Sequence, residues 1–146
     1  MSIDIDYENP WIYLERPFTS DDVHDYYGFV YNITNLINQR QYVGRKYFWS
    51  HRKPPGKKRR VKKESDWKNY YGSCSELKED IERLGRQNFS RTILSLHKTA
   101  GKTNFEETKQ LFLNGVLTES LDTGGPAYYN SNILSRYFRK DYYDGD

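Results

Sequence analysis

Two β-prone runs separated by a short turn constrain this chain most. Residues 26–34, YYGFVYNIT, are rich in aromatic and β-branched residues. Asn35 to Asn38 supply turn residues, and residues 39–44, QRQYVG, read as the return strand. The pattern predicts a β-hairpin. Tyr31 and Tyr42 stand eleven positions apart, one on each strand. Side chains paired across a hairpin on one face come within about 5 Å of each other, so the two phenols are candidates for a pair.

The remaining pattern builds a small domain around that hairpin. Ser73 followed by Glu76 reads as a capping box for a helix near 74–84. Leu77, Ile81 and Leu84 form its apolar stripe, and Gly85 ends it. Phe89 to His97 reads as a third strand. A second helix is expected from Thr103 or Asn104, with Glu106 or Glu107 three residues on. Phe105, Leu111, Phe112 and Val116 are its expected packing residues. Gly124, Gly125 and Pro126 form a turn, 127–138 returns to packed structure, and DYYDGD is a polar tail. The order argues an α/β fold, a small sandwich with a three-stranded, mostly antiparallel sheet flanked by helices. A length of 146 residues fits one domain. We place an N-terminal extension at 1–25, broken by Pro10 and Pro17 and pinned to the domain surface by Trp11, Ile12, Tyr13, Leu14 and Phe18. The domain proper is 26–146. Hydrophobic residues make up only 36%, so the core depends on rings: 14 Tyr, 7 Phe and 3 Trp.

Charge is segregated along the chain. Residues 52–63, RKPPGKKRRVKK, hold eight Lys or Arg and no acid, whereas the first 25 residues hold seven acids and one Arg. Pro54, Pro55 and Gly56 stop a helix and the cations repel one another, so 45–63 reads as a mobile basic loop. Such a run expects a polyanion, and Arg45, Lys53, Lys57, Lys58, Arg59, Arg60, Lys62 and Lys63 are its candidate contacts. No apolar run approaches the length of a membrane span, and the start of the chain lacks an apolar signal region. Cys74 is the single cysteine, which excludes an internal disulfide and a thiolate metal cage. These features predict an intracellular protein. There is no Gly-rich phosphate loop, His-Glu-x-x-His or Gly-x-Ser-x-Gly.

Phe29-Val30-Tyr31 and Tyr42-Val43-Gly44 resemble the paired tripeptides of the GIY-YIG nuclease superfamily. Arg52, ten residues after Tyr42, Glu107 or Glu106 on a later helix, and Asn130 after Tyr129 resemble its further signatures, in the same order. The stretch 65–94 is similar to the phage-type homing-endonuclease branch, in which a Trp, a Tyr-Gly-Ser and a Phe-x-x-x-Ile-Leu strand recur. The resemblance spans about 26–134. Phe29 stands where the family has Gly, with Gly28 adjacent. His51 is the nearby substitute for a frequent family histidine, and Arg45 or Lys46 are alternatives to Arg52 as the catalytic cation.

The resemblance implies a DNA endonuclease dependent on Mg2+ or Mn2+, acting in a phage-infected bacterial cell. Phosphodiester hydrolysis needs an activated water and charge neutralisation at phosphate. Glu107, sharing a helix face with Leu111, is the preferred metal ligand over Glu106. Arg52 would clamp phosphate oxygens. Tyr31 is the expected general base, provided cations lower its pKa from about 10. Tyr42 would orient the water and Asn130 a substrate or backbone group. One such site cuts one strand, so a double-strand break needs a homodimer, sequential nicking or a partner protein.

Overall fold

The computed structural model describes residues 6–53, 55–56, 58–59 and 61–145, with Arg52 described by its backbone alone. Strands β1 (Ile12–Tyr13) and β2 (Arg16–Pro17) precede the predicted hairpin, β3 (Gly28–Asn35) and β4 (Gln41–Tyr47). A second hairpin follows, β5 (Trp49–Arg52) and β6 (Val61–Glu64). Helix α1 (Ser75–Leu84), strand β7 (Phe89–His97) and helix α2 (Ala100–Leu113) complete the main body. Near the end lie a small hairpin, β8 (Asn132–Ile133) and β9 (Tyr137–Phe138), and the short helix α3 (Arg139–Tyr142).

The central sheet has five strands in the order β2-β1-β7-β3-β4, where three were expected. All neighbours are antiparallel except β1 and β7, which are parallel. Strand alternation gives the sheet two apolar faces. On one, Phe29, Tyr31 and Ile33 pack with Trp11, Phe48, Trp67 and the α1 residues Leu77 and Ile81. On the other, Val30 and Val43 pack with Leu111 of α2, Val116, Tyr128 and Ile133. The class is α/β, as the periodicity indicated.

The two extra strands come from the expected N-terminal extension, whose described residues, 6–25, go deeper than a surface cover. Trp11 and Phe18 are buried in the core, and Trp11 Nε1 donates to the Trp67 carbonyl at 2.7 Å. Arg91, almost fully buried on β7, donates through Nη2 to the Asn9 carbonyl at 2.6 Å and through Nη1 to the Tyr70 carbonyl at 2.8 Å. Strands of two residues carry no legible alternation, and Pro10 and Pro17 concealed them. Leu14, at their turn, is exposed and does not pin anything.

Three further expectations need correction. Residues 45–63 are not one loop: β4 runs on to Tyr47, and β5 pairs with β6, with Pro55 and Gly56 in a turn between them. Strand geometry sends successive cations to opposite faces, and the Lys62 ammonium sits 4.2 Å over the Trp49 ring, so repulsion does not forbid the ribbon. The N-cap of α1 is Cys74, not Ser73, and no side chain caps it. Helix α2 starts earlier than predicted, because Thr99 caps it by accepting from Lys102 N at 3.1 Å; the weak helix former Gly101 masks that start. Leu111 and Val116 are buried as expected, but Phe105 and Phe112 are 72% and 54% exposed.

Trp11→Ala should lower stability to denaturant by about 3–5 kcal/mol, the cost of emptying a fully packed Trp site. A change below about 1 kcal/mol would show that the N-terminal strands are appended to the core and not part of it.

Candidate active site

β4 is an edge of the sheet, and its outer side is covered piece by piece. The Gln41 N–H donates to the Ala127 carbonyl at 2.9 Å, and the Tyr129 N–H donates to the Gln41 carbonyl at 2.7 Å. The Asn130 side chain then continues the pairing. Its Oδ1 accepts from Val43 N at 3.1 Å and its Nδ2 donates to the Val43 carbonyl at 2.8 Å. Further along, the Glu107 carboxylate, projecting from α2, accepts the Arg45 N–H. The Arg45 guanidinium lies at 3.6 Å from the same carboxylate. A backbone segment, an amide and a carboxylate thus cover successive peptide groups of one strand.

These residues border a polar cavity of about 570 Å³. Tyr42, Arg45, Glu107 and Asn130 line it, together with Ser73 to Ser75 at the start of α1 and the turn at 131–135. Burial pushes the Glu107 carboxyl above its usual value, against the opposing pull of Arg45 and of its backbone N–H. Burial likewise raises the Tyr42 phenol, while a hydrogen bond with the Ser73 hydroxyl pulls the other way. Glu106, by contrast, accepts from Gln110 Nε2 at 3.0 Å and is not part of the cavity lining.

Tyr31 lies beneath this site. The two phenol rings of the predicted pair are 6.2 Å apart, but diagonally: Tyr31 faces Gly44 across the hairpin, and Tyr42 faces Ile33. The Tyr31 ring lies over Gly44, where an added Cβ would stand 2.5 Å from Oη and 2.7 Å from Cζ. That contact explains why the second tripeptide ends in glycine. The Tyr31 hydroxyl is buried and bonded to Tyr70. Burial, followed by the neighbouring Tyr42 and Tyr70, pushes its pKa well above 10, the reverse of the lowering expected from nearby cations.

The other candidates among the described residues are dispersed. Lys46 turns to the opposite face, where its ammonium meets Asp66 at 2.6 Å and the Tyr70 ring at 4.1 Å. His51 is exposed on β5 and stacks on Tyr27 with ring centroids 6.2 Å apart. The backbone of Arg52 pairs with Val61, and its side chain lies outside the described residues, as do Lys57 and Arg60. Lys53, Lys58, Arg59, Lys62 and Lys63 are exposed along the β5–β6 arm. Sequence reasoning missed Gly72, whose φ of +87° suits glycine and which sits under both phenols. An added Cβ there would lie 3.2 Å from the Tyr42 ring and 3.4 Å from Tyr31 Oη. The Tyr-Gly-Ser triplet was its only signal.

The cavity's donor set suits a hard divalent cation. Glu107 is the one carboxylate among the described residues of the lining, and hydroxyl and amide oxygens share the cavity with it. The Arg45 guanidinium beside it would have to turn toward phosphate to leave the carboxylate to a cation. Among the described residues, no cluster of three or more His, Cys, Asp or Glu forms a closed metal cage. A cation held by Glu107 would therefore keep most of its shell for water and phosphate.

Residues 11–133 match the family model described as "Putative endonuclease segE, GIY-YIG domain". The chain belongs to the GIY-YIG endonuclease family. It is also similar to the protein named "Putative endonuclease segE" of Enterobacteria phage T4, with 37% identity over 76 residues. That match covers 51% of this chain and 29% of the relative's length. No solved structure gives a significant match.

Glu107→Gln should leave the protein as stable at pH 7 as it is with glutamate, or more so. A carboxyl whose folded pKa is raised opposes folding when ionised. The gain should therefore be full above the raised pKa and vanish as pH falls below the ordinary carboxylate range. Thermal unfolding across a pH series checks this. A loss of stability at pH 7 would mean that the Arg45 contact outweighs burial. Gly44→Ala should cost about 1–3 kcal/mol by overpacking. Adding Tyr31→Phe should not restore it, since Cζ as well as Oη blocks the new methyl.

Proposed function

We propose that this chain is a metal-dependent DNA endonuclease whose active site is the cavity at the β4 edge. The observation that carries the reading is the convergence of Glu107, Arg45, Tyr42 and Asn130 on one polar groove. Glu107 would hold a Mg2+ or Mn2+ ion, which when bound supplies charge neutralisation at phosphate and a more acidic water.

The chain's own residues supply the rest. Of the two candidate cations whose side chains are described, Arg45 and not Lys46 lies beside Glu107, and it meets phosphate oxygens on the groove side. Tyr42 takes the position nearest the substrate. Half-buried on the groove and bonded to the Ser73 hydroxyl, it is placed to orient water or to donate to a phosphate oxygen as a neutral phenol. Tyr31 acts as a positioning residue, holding Tyr42 and Gly72 from below. Asn130 positions the Val43 peptide. Tyr42 keeps the orienting role that the family resemblance implies, whereas Tyr31 gives up that of general base, because it is buried. The exposed β5–β6 arm, with Lys53, Lys58, Arg59, Lys62 and Lys63, lies along the DNA backbone. Protein–DNA affinity of this kind is dominated by phosphate neutralisation. His51, stacked on Tyr27, joins the arm to the body. A homodimer or a partner protein would supply a second cut and sequence specificity.

The test is nicking of supercoiled plasmid with Mg2+ or with EDTA. Metal-dependent nicks are expected, lost in Glu107→Ala with DNA binding retained. Equal activity of Glu107→Ala and wild type would remove Glu107 from the site. Tyr42→Phe should slow single-turnover cleavage by on the order of 10²-fold, without moving the pH profile. A rate limb that disappears in Tyr42→Phe would restore a phenolate base. Changing Lys58, Arg59, Lys62 and Lys63 to Gln should flatten the slope of log K against log salt by about 0.9 for each phosphate that is no longer neutralised. The weakening should be the same on unrelated duplexes.

A further inference from the structure

Leu134 stands at the tip of the β8–β9 hairpin, on the rim of the cavity that holds Glu107 and Tyr42. It is 64% exposed and has φ of +58°, and Ser135 beside it has φ of +49°. Left-handed backbone is unfavourable for a branched apolar residue, and Gly or Asn relieves it. Exposure of a leucine brings no folding benefit either. Nothing in the packing of the domain therefore calls for leucine at this position.

The tip is nonetheless rigidly built. Ile133 is buried under it. Asn132 Oδ1 accepts from Ser135 N at 3.0 Å, and the Arg136 N–H donates to the Ile133 carbonyl at 3.1 Å. Behind the hairpin, Arg139 N donates to the Ser131 carbonyl at 2.8 Å, and Arg139 Nη1 donates to the Tyr128 carbonyl at 3.2 Å. The segment 127–130 is in turn bonded to β4. The backbone that carries this apolar side chain is thus held in place on the rim of the cavity that Glu107 also lines, with the exposed cation Arg136 two residues on. Leu14 shares the left-handed conformation and is 75% exposed, but its cavity also contains Asp21 and Asp22, which repel a polyanion.

We propose that Leu134 is a wedge that enters the base stack of duplex DNA at the cut site, opening one base step and presenting its phosphate to the groove. The inference rests on the DNA-endonuclease reading and adds a substrate deformation to it. Apolar side chains inserted between base steps unstack and kink duplexes in this way. An exposed leucine on a held backbone, with a cation two residues on, has the required chemistry. The unstacked step also makes the wedge a determinant of sequence preference, since flexible pyrimidine–purine steps open most readily.

The test uses the full chain in EDTA with duplex DNA from the plasmid segment it retains most tightly. Single 2-aminopurine substitutions are stepped along that duplex, because their fluorescence rises when the base unstacks. Wild type should raise the signal several-fold at one step. Leu134→Met should keep the rise. Leu134→Asn, whose side chain suits the left-handed turn, should match or exceed wild-type thermal stability, bind the duplex and leave the signal at its free level. In Mg2+, Leu134→Asn should cleave intact duplex about tenfold or more slowly, and recover on duplex carrying a mismatch at the opened step. No rise with wild type, or an equal rise with Leu134→Asn, overturns the wedge. A rise without metal-dependent cleavage would uphold the wedge and defeat the endonuclease reading. Cleavage without a rise would do the reverse, and failure to bind duplex would defeat both.

Discussion

The Tyr31 ring lies on Gly44, and much of the site's geometry depends on that contact. It locks the β3–β4 register, in which Tyr31 opposes Gly44 and Ile33 opposes Tyr42. A slip of one residue would exchange the faces of every β4 side chain. Tyr42 would leave the α1 side, and Arg45 would lose Glu107. The same ring touches the space over Gly72, so it also sets how closely the Tyr70–Ser73 segment approaches the sheet. A buried phenol with a raised pKa serves this purpose well, because it stays neutral and keeps its bond to Tyr70.

Exposed strand edges invite pairing with other chains, and β4 avoids this in an unusual manner. Part of its edge meets backbone, part meets the Asn130 amide and part meets the Glu107 carboxylate. The carboxylate is held by the edge it covers and by Arg45, yet burial still raises its pKa. A partly buried carboxylate of this kind, set in a groove, is a candidate for binding a cation.

Much of the main body was legible because its signals are local. The hairpin showed in β-branched and aromatic runs around a turn. Helix α1 showed in Leu77, Ile81 and Leu84, and β7 in residues 89–97. Glu107 could be preferred over Glu106 by its helix face, and Glu107 is the one that lines the groove. The β1–β2 pair was not legible, because these two-residue strands exist only through pairing, β1 with β7 and β2 with β1. The β5–β6 ribbon was hidden by a charge run that reads as loop in isolation. Lys46 and Arg45 could not be separated, since adjacent strand residues differ only in the face they take.

The sequence by itself determined the class of fold, the tyrosine hairpin, the concentration of cations in 52–63 and the family to which the chain belongs. These depend on residue type and short-range spacing, which the chain carries without folding. Only the tertiary structure decided that Tyr42 reaches the groove while Tyr31 is buried, that Arg45 and not Lys46 meets Glu107, and that Asn130 is engaged with the Val43 peptide. It alone placed Leu134 on the groove rim in a left-handed turn. Burial, strand face and edge exposure follow from which distant segments pack together, and no local pattern encodes them.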